Sequence, residues 1–164
     1  MNPQRKQRIL FVCMGNICRS PIVETVAREE FARAGIAADV ASAGTESYHI
    51  GEGADPRAIE IAEANGYPLA QHRARQVSAG DFDRYDWILA MDRVNLSALT
   101  RHRPRSEGLE PALFLAHAGY GGLDEVPDPY YGKRRDFEHV LDLARRGTAL
   151  LIERLAASRE DAHA

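Results

Sequence analysis

A cysteine and an arginine separated by five residues, Cys13 and Arg19, stand near the start of the chain. A cysteine thiolate is a strong nucleophile, and the planar arginine side chain can bind two oxygens of a phosphate at once. The spacing alone is a weak indication, because a chain with two cysteines and this many arginines holds such a pair by chance in roughly one case in five. The candidate phosphate-binding loop also contains Met14, Gly15, Asn16, Ile17, Cys18 and Ser20.

The sequence on either side predicts that this loop joins a strand to a helix. The apolar run Ile9–Val12 is typical of a buried parallel strand. Ser20 suits an N-cap and Pro21 the first helical position, so we expect a helix to begin at Pro21. Gly15 and Asn16 tolerate positive φ, as a tight turn between the strand and the helix requires. Such a turn would point backbone N–H groups inward, toward a dianion at the helix N-terminus.

The same surroundings would activate Cys13. A helix N-terminus and a nearby cation such as Arg19 favour the thiolate over the thiol, and the Ser20 hydroxyl could donate a hydrogen bond to the sulfur. The alternative is a buried structural cysteine, an arginine that faces solvent and a serine that only caps the helix. The residues alone leave both interpretations open.

The rest of the chain alternates strands with helices. Further strands are predicted over residues 39–43, 87–91 and 113–116, and further helices over 56–65, 93–102 and 137–155. This order predicts an α/β fold, with a parallel sheet between two layers of helices. Ligands of such sheets bind beyond the carboxyl ends of the strands, so the loop from Cys13 to Ser20 is where a site is expected.

Length and composition predict one folded domain over residues 1–164, with residues 1–7 and 157–164 as mobile tails. Hydrophobic residues make up 45% and charged residues 27%, which is ordinary globular usage. The net charge of -3 lacks the basic excess of a nucleic-acid binder. No apolar run is long enough to span a membrane, which favours a cytoplasmic protein without membrane partners.

The cysteine and histidine content argues against two kinds of site. Two cysteines are too few for a disulfide framework, and the six histidines show no metal-ligand spacing with each other or with the cysteines. We therefore predict no metal.

Four separated motifs carry a resemblance to a known family. The segments are Cys13 to Pro21, Ser42-Ala43-Gly44-Thr45, His72-Arg73-Ala74-Arg75 and Asp128-Pro129-Tyr130-Tyr131-Gly132. In this order they resemble the low-molecular-weight protein tyrosine phosphatases, and the likeness extends from about Arg8 to Leu155.

The resemblance implies a four-stranded parallel sheet flanked by helices, with the phosphate loop after the first strand. It implies a cysteine-dependent hydrolase that needs no metal and no other cofactor, and that acts on phosphotyrosine and aryl phosphate monoesters. The partners would be phosphotyrosine proteins or peptides, including a tyrosine kinase, with inorganic phosphate as product and inhibitor. It also implies that a hydrogen-bond network holds the loop, formed by Asn16, Ser20, Ser42 and His72.

Asp128 is the candidate general acid. It lies far along the chain from Cys13, so only folding can bring the two together. Pro129 biases Asp128 toward an extended conformation, although Asp-Pro is also a common turn pair. The resemblance implies that Asp128 protonates the leaving oxygen while a phosphocysteine forms on Cys13, and then activates water to hydrolyse it. The acid must carry a proton, which partial burial and the dianionic substrate would both favour.

Three tyrosines, Tyr48, Tyr130 and Tyr131, resemble the aromatic positions that wall the substrate cleft in this family. Met14 and Ile17 could supply the floor of the cleft. Ordinary packing of loop side chains is the alternative for these residues.

Cys18 has two candidate roles. It could form a reversible disulfide with Cys13 and protect the nucleophile from over-oxidation, or it could be a small buried filler. Two competing functions share the anion loop: an arsenate reductase and a phosphate-binding module without turnover. The thioredoxin-coupled reductase relays electrons through further cysteines, and this chain has none after Cys18. In a binding module Asp128 would have no role.

Overall fold

The computed structural model describes residues 5–104 and 109–163; residues 1–4 and Ala164 of the predicted tails lie outside the described part. The strands are β1 (Gln7–Cys13), β2 (Ala38–Gly44), β3 (Trp87–Ala90) and β4 (Ala112–Leu113). The helices are α1 (Arg19–Arg33), α2 (Pro56–Ala64), α3 (Asp81–Arg84), α4 (Arg93–His102), α5 (Phe114–Ala118) and α6 (Arg134–His163).

The four strands form one parallel sheet in the order β2-β1-β3-β4. β1 lies between β2 and β3, with Cys13 opposite Gly44 at the carboxyl end of the β1–β2 pair. This confirms the predicted parallel sheet. The central strand therefore ends where the chain turns into the candidate loop, at the edge where such sheets bind ligands.

Successive side chains of β1 enter two different cores, one on each face of the sheet, as the period of a strand requires. Ile9 and Phe11 pack in the larger core, against residues of α1, α2, α5 and α6. Leu10 and Val12 pack in the smaller core, with residues of α3 and α4. The predicted helices on both faces of the sheet are thus confirmed.

Two helices near the site begin at aspartate N-caps. The Asp55 side chain accepts a hydrogen bond from the backbone N–H of Arg57, and Pro56 is the first residue of α2. Asp92 caps α4 in the same way, through the N–H of Asn95. These caps place one carboxylate at the end of β3 and another beside the phosphate loop.

Three predicted boundaries are wrong. Of the fourth predicted strand, residues 113–116, only Leu113 is extended, as the last residue of β4, and Phe114–Ala118 forms α5. β1 begins at Gln7, inside the predicted N-terminal tail, and α6 continues to His163, beyond the predicted end at residue 155. The sequence after residue 155 holds no glycine or proline to stop a helix, so α6 continues past the predicted end.

The helix after the loop also begins earlier than predicted. α1 starts at Arg19, its N-cap position is Cys18, and no side chain caps it. The prediction that Ser20 caps this helix is therefore wrong, because the Ser20 hydroxyl lies against the sulfur of Cys13 instead. Within the described ranges, none of the helices is both long and apolar enough to cross a membrane.

Candidate active site

The loop between β1 and α1 folds back over the sulfur of Cys13. Asn16 adopts φ 60°, a left-handed conformation that its short polar side chain tolerates. This turn directs the Asn16 backbone N–H to Cys13 Sγ at 3.3 Å. Gly15 was also a candidate for positive φ, but Asn16 alone adopts it among the described non-glycine residues, and Gly15 does not.

The nucleophile candidate receives a second hydrogen bond from Ser20. Cys13 is buried, and the Ser20 Oγ lies 3.0 Å from its sulfur. Ser20 Oγ accepts a hydrogen bond from Asn16 Nδ2 at 2.9 Å. Because that bond occupies a lone pair of the hydroxyl oxygen, the Ser20 hydrogen is free to point at the sulfur. The side chain is therefore oriented to donate to Cys13 and to stabilise a negative charge there.

The buried Asn16 side chain holds the loop from behind. Its Oδ1 accepts from the backbone N–H of Arg75 at 3.0 Å, so its Nδ2 is the donor to Ser42 Oγ at 2.9 Å. His72 Nε2 donates to the Asn16 carbonyl at 2.7 Å. The structure thus brings together the four residues of the predicted supporting network, Asn16, Ser20, Ser42 and His72.

Arg19 is a buried cation beneath the loop. Its side chain is 3% exposed, and its Nη1 donates to Asp92 Oδ2 at 2.6 Å and to the Val126 carbonyl at 3.0 Å. Burial lowers the pKa of Arg19, but the neighbouring Cys13 and Asp92 together raise it by a larger amount. The pKa of Arg19 therefore lies above its ordinary value. Arg19 is a permanent positive charge, and its Nε and Nη2 are the edge that can face an anion.

Folding brings Asp128 to the same place. Its Oδ2 lies 4.0 Å from Arg19 Nη2, and its Oδ1 accepts from the backbone N–H of Tyr130 at 3.1 Å. The Asp128 side chain is 45% exposed, so the carboxyl group is only partly buried.

These groups open into one cavity of about 290 Å³. Asn16, Ser20, Ser42 and His72 stay outside it, behind the loop. Tyr48 is 70% exposed and Tyr131 94% exposed, so both stand at the mouth and not in a deep slot. The cavity is lined by Cys13, Met14, Gly15, Ile17, Cys18, Arg19, Tyr48, His49, Asp128, Tyr130 and Tyr131.

Cys18 is the second cysteine of the phosphate loop. It is buried at the N-terminus of α1, and burial, followed by the negative charge of Asp55, raises the pKa of its thiol far above the ordinary value. Cys18 is therefore a thiol at neutral pH. Both cysteines are free in the structure.

Sequence reasoning missed several supporting groups. Ser42 Oγ donates to Glu24 Oε1 at 2.5 Å, and Glu24 pairs with Arg28 on the same helix. An acid and a base four residues apart on a helix normally indicate a solvated surface pair, so no local signal marked Glu24. His49 also lines the cavity, and its Nδ1 lies 2.7 Å from Glu52 Oε2.

The arrangement offers a candidate nucleophile, an anion cradle and a carboxyl group. Across the residues that the structure describes, no group of three or more histidine, cysteine, aspartate or glutamate side chains could hold a metal ion. Such a site can attack phosphorus through sulfur, stabilise charge on the equatorial oxygens and move a proton.

Comparison with known proteins points to one family. The profile of the low molecular weight phosphotyrosine protein phosphatases matches residues 8–161. The low molecular weight protein-tyrosine-phosphatase of Streptomyces coelicolor is 43% identical over 158 residues, which cover 93% of this chain and 94% of that protein. The low molecular weight phosphotyrosine protein phosphatase of Schizosaccharomyces pombe is 42% identical over 128 residues, 76% of this chain and 81% of that protein.

A solved structure gives the same answer. The crystal structure of a protein tyrosine phosphatase from Entamoeba histolytica, with Hepes in its active site, matches with a TM-score of 0.86 at 33% sequence identity. The match covers 94% of this chain and 99% of that one.

Proposed function

The chain belongs to the low molecular weight phosphotyrosine protein phosphatase family and is a cysteine-dependent protein tyrosine phosphatase; on that premise, we propose that Cys13 is its nucleophile, Arg19 its phosphate-binding cation and Asp128 its general acid and base. The observation that supports this assignment is the convergence of the three side chains on one cavity. Cys13 accepts hydrogen bonds there from Ser20 and from the Asn16 backbone.

In the first step Cys13 Sγ attacks phosphorus in line with the leaving oxygen. Charge on the equatorial oxygens is stabilised by the free edge of Arg19 and by the backbone N–H groups of the loop residues, which are Met14, Gly15, Asn16, Ile17 and Cys18. Since Asp92 and Val126 hold Nη1, the arginine plane is set before the substrate binds.

Asp128 supplies the proton. It lies at the open side of the cavity, where a leaving oxygen would point, and its link to the Tyr130 N–H sets the direction of the carboxyl group. A phosphocysteine on Cys13 and a phenol result. Ionised Asp128 then takes a proton from water as the water attacks phosphorus, which releases inorganic phosphate and the thiolate.

The cavity favours an aryl substrate. Tyr130 and Tyr131 form one edge-to-face pair with centroids 4.9 Å apart, and Tyr48 stands at the same mouth. Phosphotyrosine proteins or peptides, a tyrosine kinase among them, are the proposed partners, and inorganic phosphate is both product and inhibitor. The proposed location is the cytoplasm, where free thiols persist.

Cys18 is proposed as the redox partner of Cys13. Peroxide would oxidise the Cys13 thiolate to a sulfenic acid, and attack by Cys18 would release water and form the disulfide. Because Cys18 is a thiol at neutral pH, its proton would leave with the hydroxyl group of the sulfenic acid as water when its sulfur attacks. Activity lost to peroxide should return fully with dithiothreitol in the wild type but not in Cys18→Ser.

Variants of the two catalytic residues test the assignment in the presence of chelator. Cys13→Ser should abolish turnover of phenyl phosphate and prevent trapping of a phosphorylated enzyme. Asp128→Ala should slow phenyl phosphate about a hundredfold and p-nitrophenyl phosphate, which has a better leaving group, far less. Asp124→Ala is the matched control, an exposed aspartate a few residues before Asp128. Equal losses on both substrates would contradict the role of Asp128.

A further inference from the structure

The aromatic wall of the cavity rests on an arginine that lies outside it. The Arg57 guanidinium carbon lies 5.6 Å from the ring centroid of Tyr130 and 4.6 Å from that of Phe137. Phe137 is fully buried in the main core, whereas Tyr130 is half-exposed and lines the cavity. Arg57 therefore joins a fixed ring of the core to a ring of the cleft by cation–π contacts on both.

A carboxylate fixes the arginine plane between these rings. Arg57 Nε donates to Asp55 Oδ1 at 3.0 Å and Nη2 to Asp55 Oδ2 at 2.8 Å, a bidentate pair. Asp55 is itself anchored, because its backbone N–H donates to the Ile17 carbonyl of the phosphate loop at 2.8 Å. The Asp55 side chain is also buried, since only 8% of it is exposed.

The chain of contacts thus runs from the phosphate loop to the loop of the general acid. Tyr130 is bonded through its N–H to Asp128 and stacks edge-to-face on Tyr131, which stands almost fully in solvent. Because Tyr131 is so exposed, it is held mainly by its contact with Tyr130. Tyr130 is held in turn by its contact with Arg57. The aromatic ring of a substrate that binds between these loops would therefore contact tyrosine side chains that are already held in position.

From this geometry we propose that Arg57 is a positioning residue for substrate selection: it holds Tyr130 against the cleft and so gives the enzyme its preference for aryl over alkyl phosphates. This rests on the proposed function, in which the ring of phosphotyrosine lies between the tyrosines. Arg57 does not touch the phosphate, so its removal should weaken binding of the ring and spare binding of the anion.

Binding of two phosphonates separates these effects without any turnover. Benzylphosphonate carries the anion and a ring, whereas methylphosphonate carries the anion alone. In Arg57→Ala we expect the Kd of benzylphosphonate to rise about tenfold and that of methylphosphonate to change less than twofold. Arg57→Lys, which keeps the charge but loses the planar fork, should fall between the wild type and Arg57→Ala.

Three further measurements complete the test. In a Tyr130→Leu background, Arg57→Ala should change the benzyl-to-methyl ratio less than twofold, because the supported ring is gone. Arg146→Lys is the control, an exposed arginine of α6 that pairs with Asp142, and it should leave both Kd values unchanged. KM for a phosphotyrosine peptide should rise in Arg57→Lys more than kcat falls.

The outcomes are distinguishable. Equal weakening of both phosphonates would mean that Arg57 supports only the phosphate loop, and an unchanged ratio in Arg57→Ala and Arg57→Lys would show that the wall stands without it. Either result would overturn the inference. Failure of the proposed function would look different, because the wild type would then bind neither phosphonate and would not hydrolyse the peptide.

Discussion

Replacing Asp92 tests how the fold holds a buried cation. Arg19 is 3% exposed and Asp92 20% exposed, and the 2.6 Å bond between them is the principal ion pair of the site. Breaking a fully buried pair typically costs 3–5 kcal/mol. The Val126 carbonyl remains and Asp92 is partly solvated, so we expect Asp92→Asn to lower the free energy of unfolding by about 2–3 kcal/mol.

Asp92→Ala removes more than the charge. Asp92 also caps α4 through the N–H of Asn95, and loss of such a cap costs about 1 kcal/mol. The alanine variant should therefore be less stable than the asparagine variant by roughly that amount. Asparagine retains an acceptor for Arg19 Nη1, so kcat/KM for phenyl phosphate should fall less than about tenfold, against about a hundredfold for alanine, in which the arginine plane is released.

Urea unfolding at neutral pH and initial rates measure both effects. Asp124→Asn is the matched control, because Asp124 pairs with Arg93 at 2.9 Å on the surface, where both side chains are more than half exposed. That change should cost less than about 0.5 kcal/mol. An Asp92→Asn variant as stable as the control would refute the argument that the charge of Asp92 compensates the burial of Arg19.

Three further changes test packing, the loop and pH. Gly147→Ala would place a Cβ 2.4 Å from Phe114 Cζ in the core and should cost about 1–3 kcal/mol by urea unfolding. Gly44→Ala would place a Cβ 2.6 Å from the backbone oxygen of Met14, which cannot rotate away, so the Ki of inorganic phosphate should rise at least about tenfold. The pKa of Cys18 is raised in the folded state, so its contribution to stability is complete below about pH 9 and is lost as pH rises. Above pH 9 the free energy of unfolding should fall up to about 1.4 kcal/mol per pH unit more steeply in the wild type than in Cys18→Ala.

Local signals were enough to predict most of the fold. The apolar run of β1 indicates a strand and the Asp55-Pro56 pair indicates a helix start, each within a few residues. The structure has a strand and a helix start at these positions. The prediction of the fourth strand was wrong because a short apolar run such as 113–116 is compatible with a buried strand and with a buried helix. Pairing with β3 holds only its first residue, and the remainder forms α5.

The site shows the same division between local and distant information. Cys13 and Arg19 could be found because the chain places them in one loop between two strong elements. Glu24 and Arg57 could not, because each acts on a residue that folding brings near: Ser42 for Glu24 and Tyr130 for Arg57. Their own sequence neighbourhoods contain only ordinary helical charges, which usually face solvent.

The polar groups behind the loop explain why the Ser20 hydroxyl group is directed at the sulfur of Cys13. Asn16 and Ser20 are fully buried, and buried polar groups are costly unless every donor is used. Arg75 N–H occupies the Asn16 oxygen, so the Asn16 amide must donate, and the hydrogen of Ser20 is left for the sulfur. The direction of each bond thus follows from the previous one. A loop held only by its own turn would lack this constraint, so the supporting network, more than the five-residue spacing, directs these hydrogen bonds to the Cys13 sulfur.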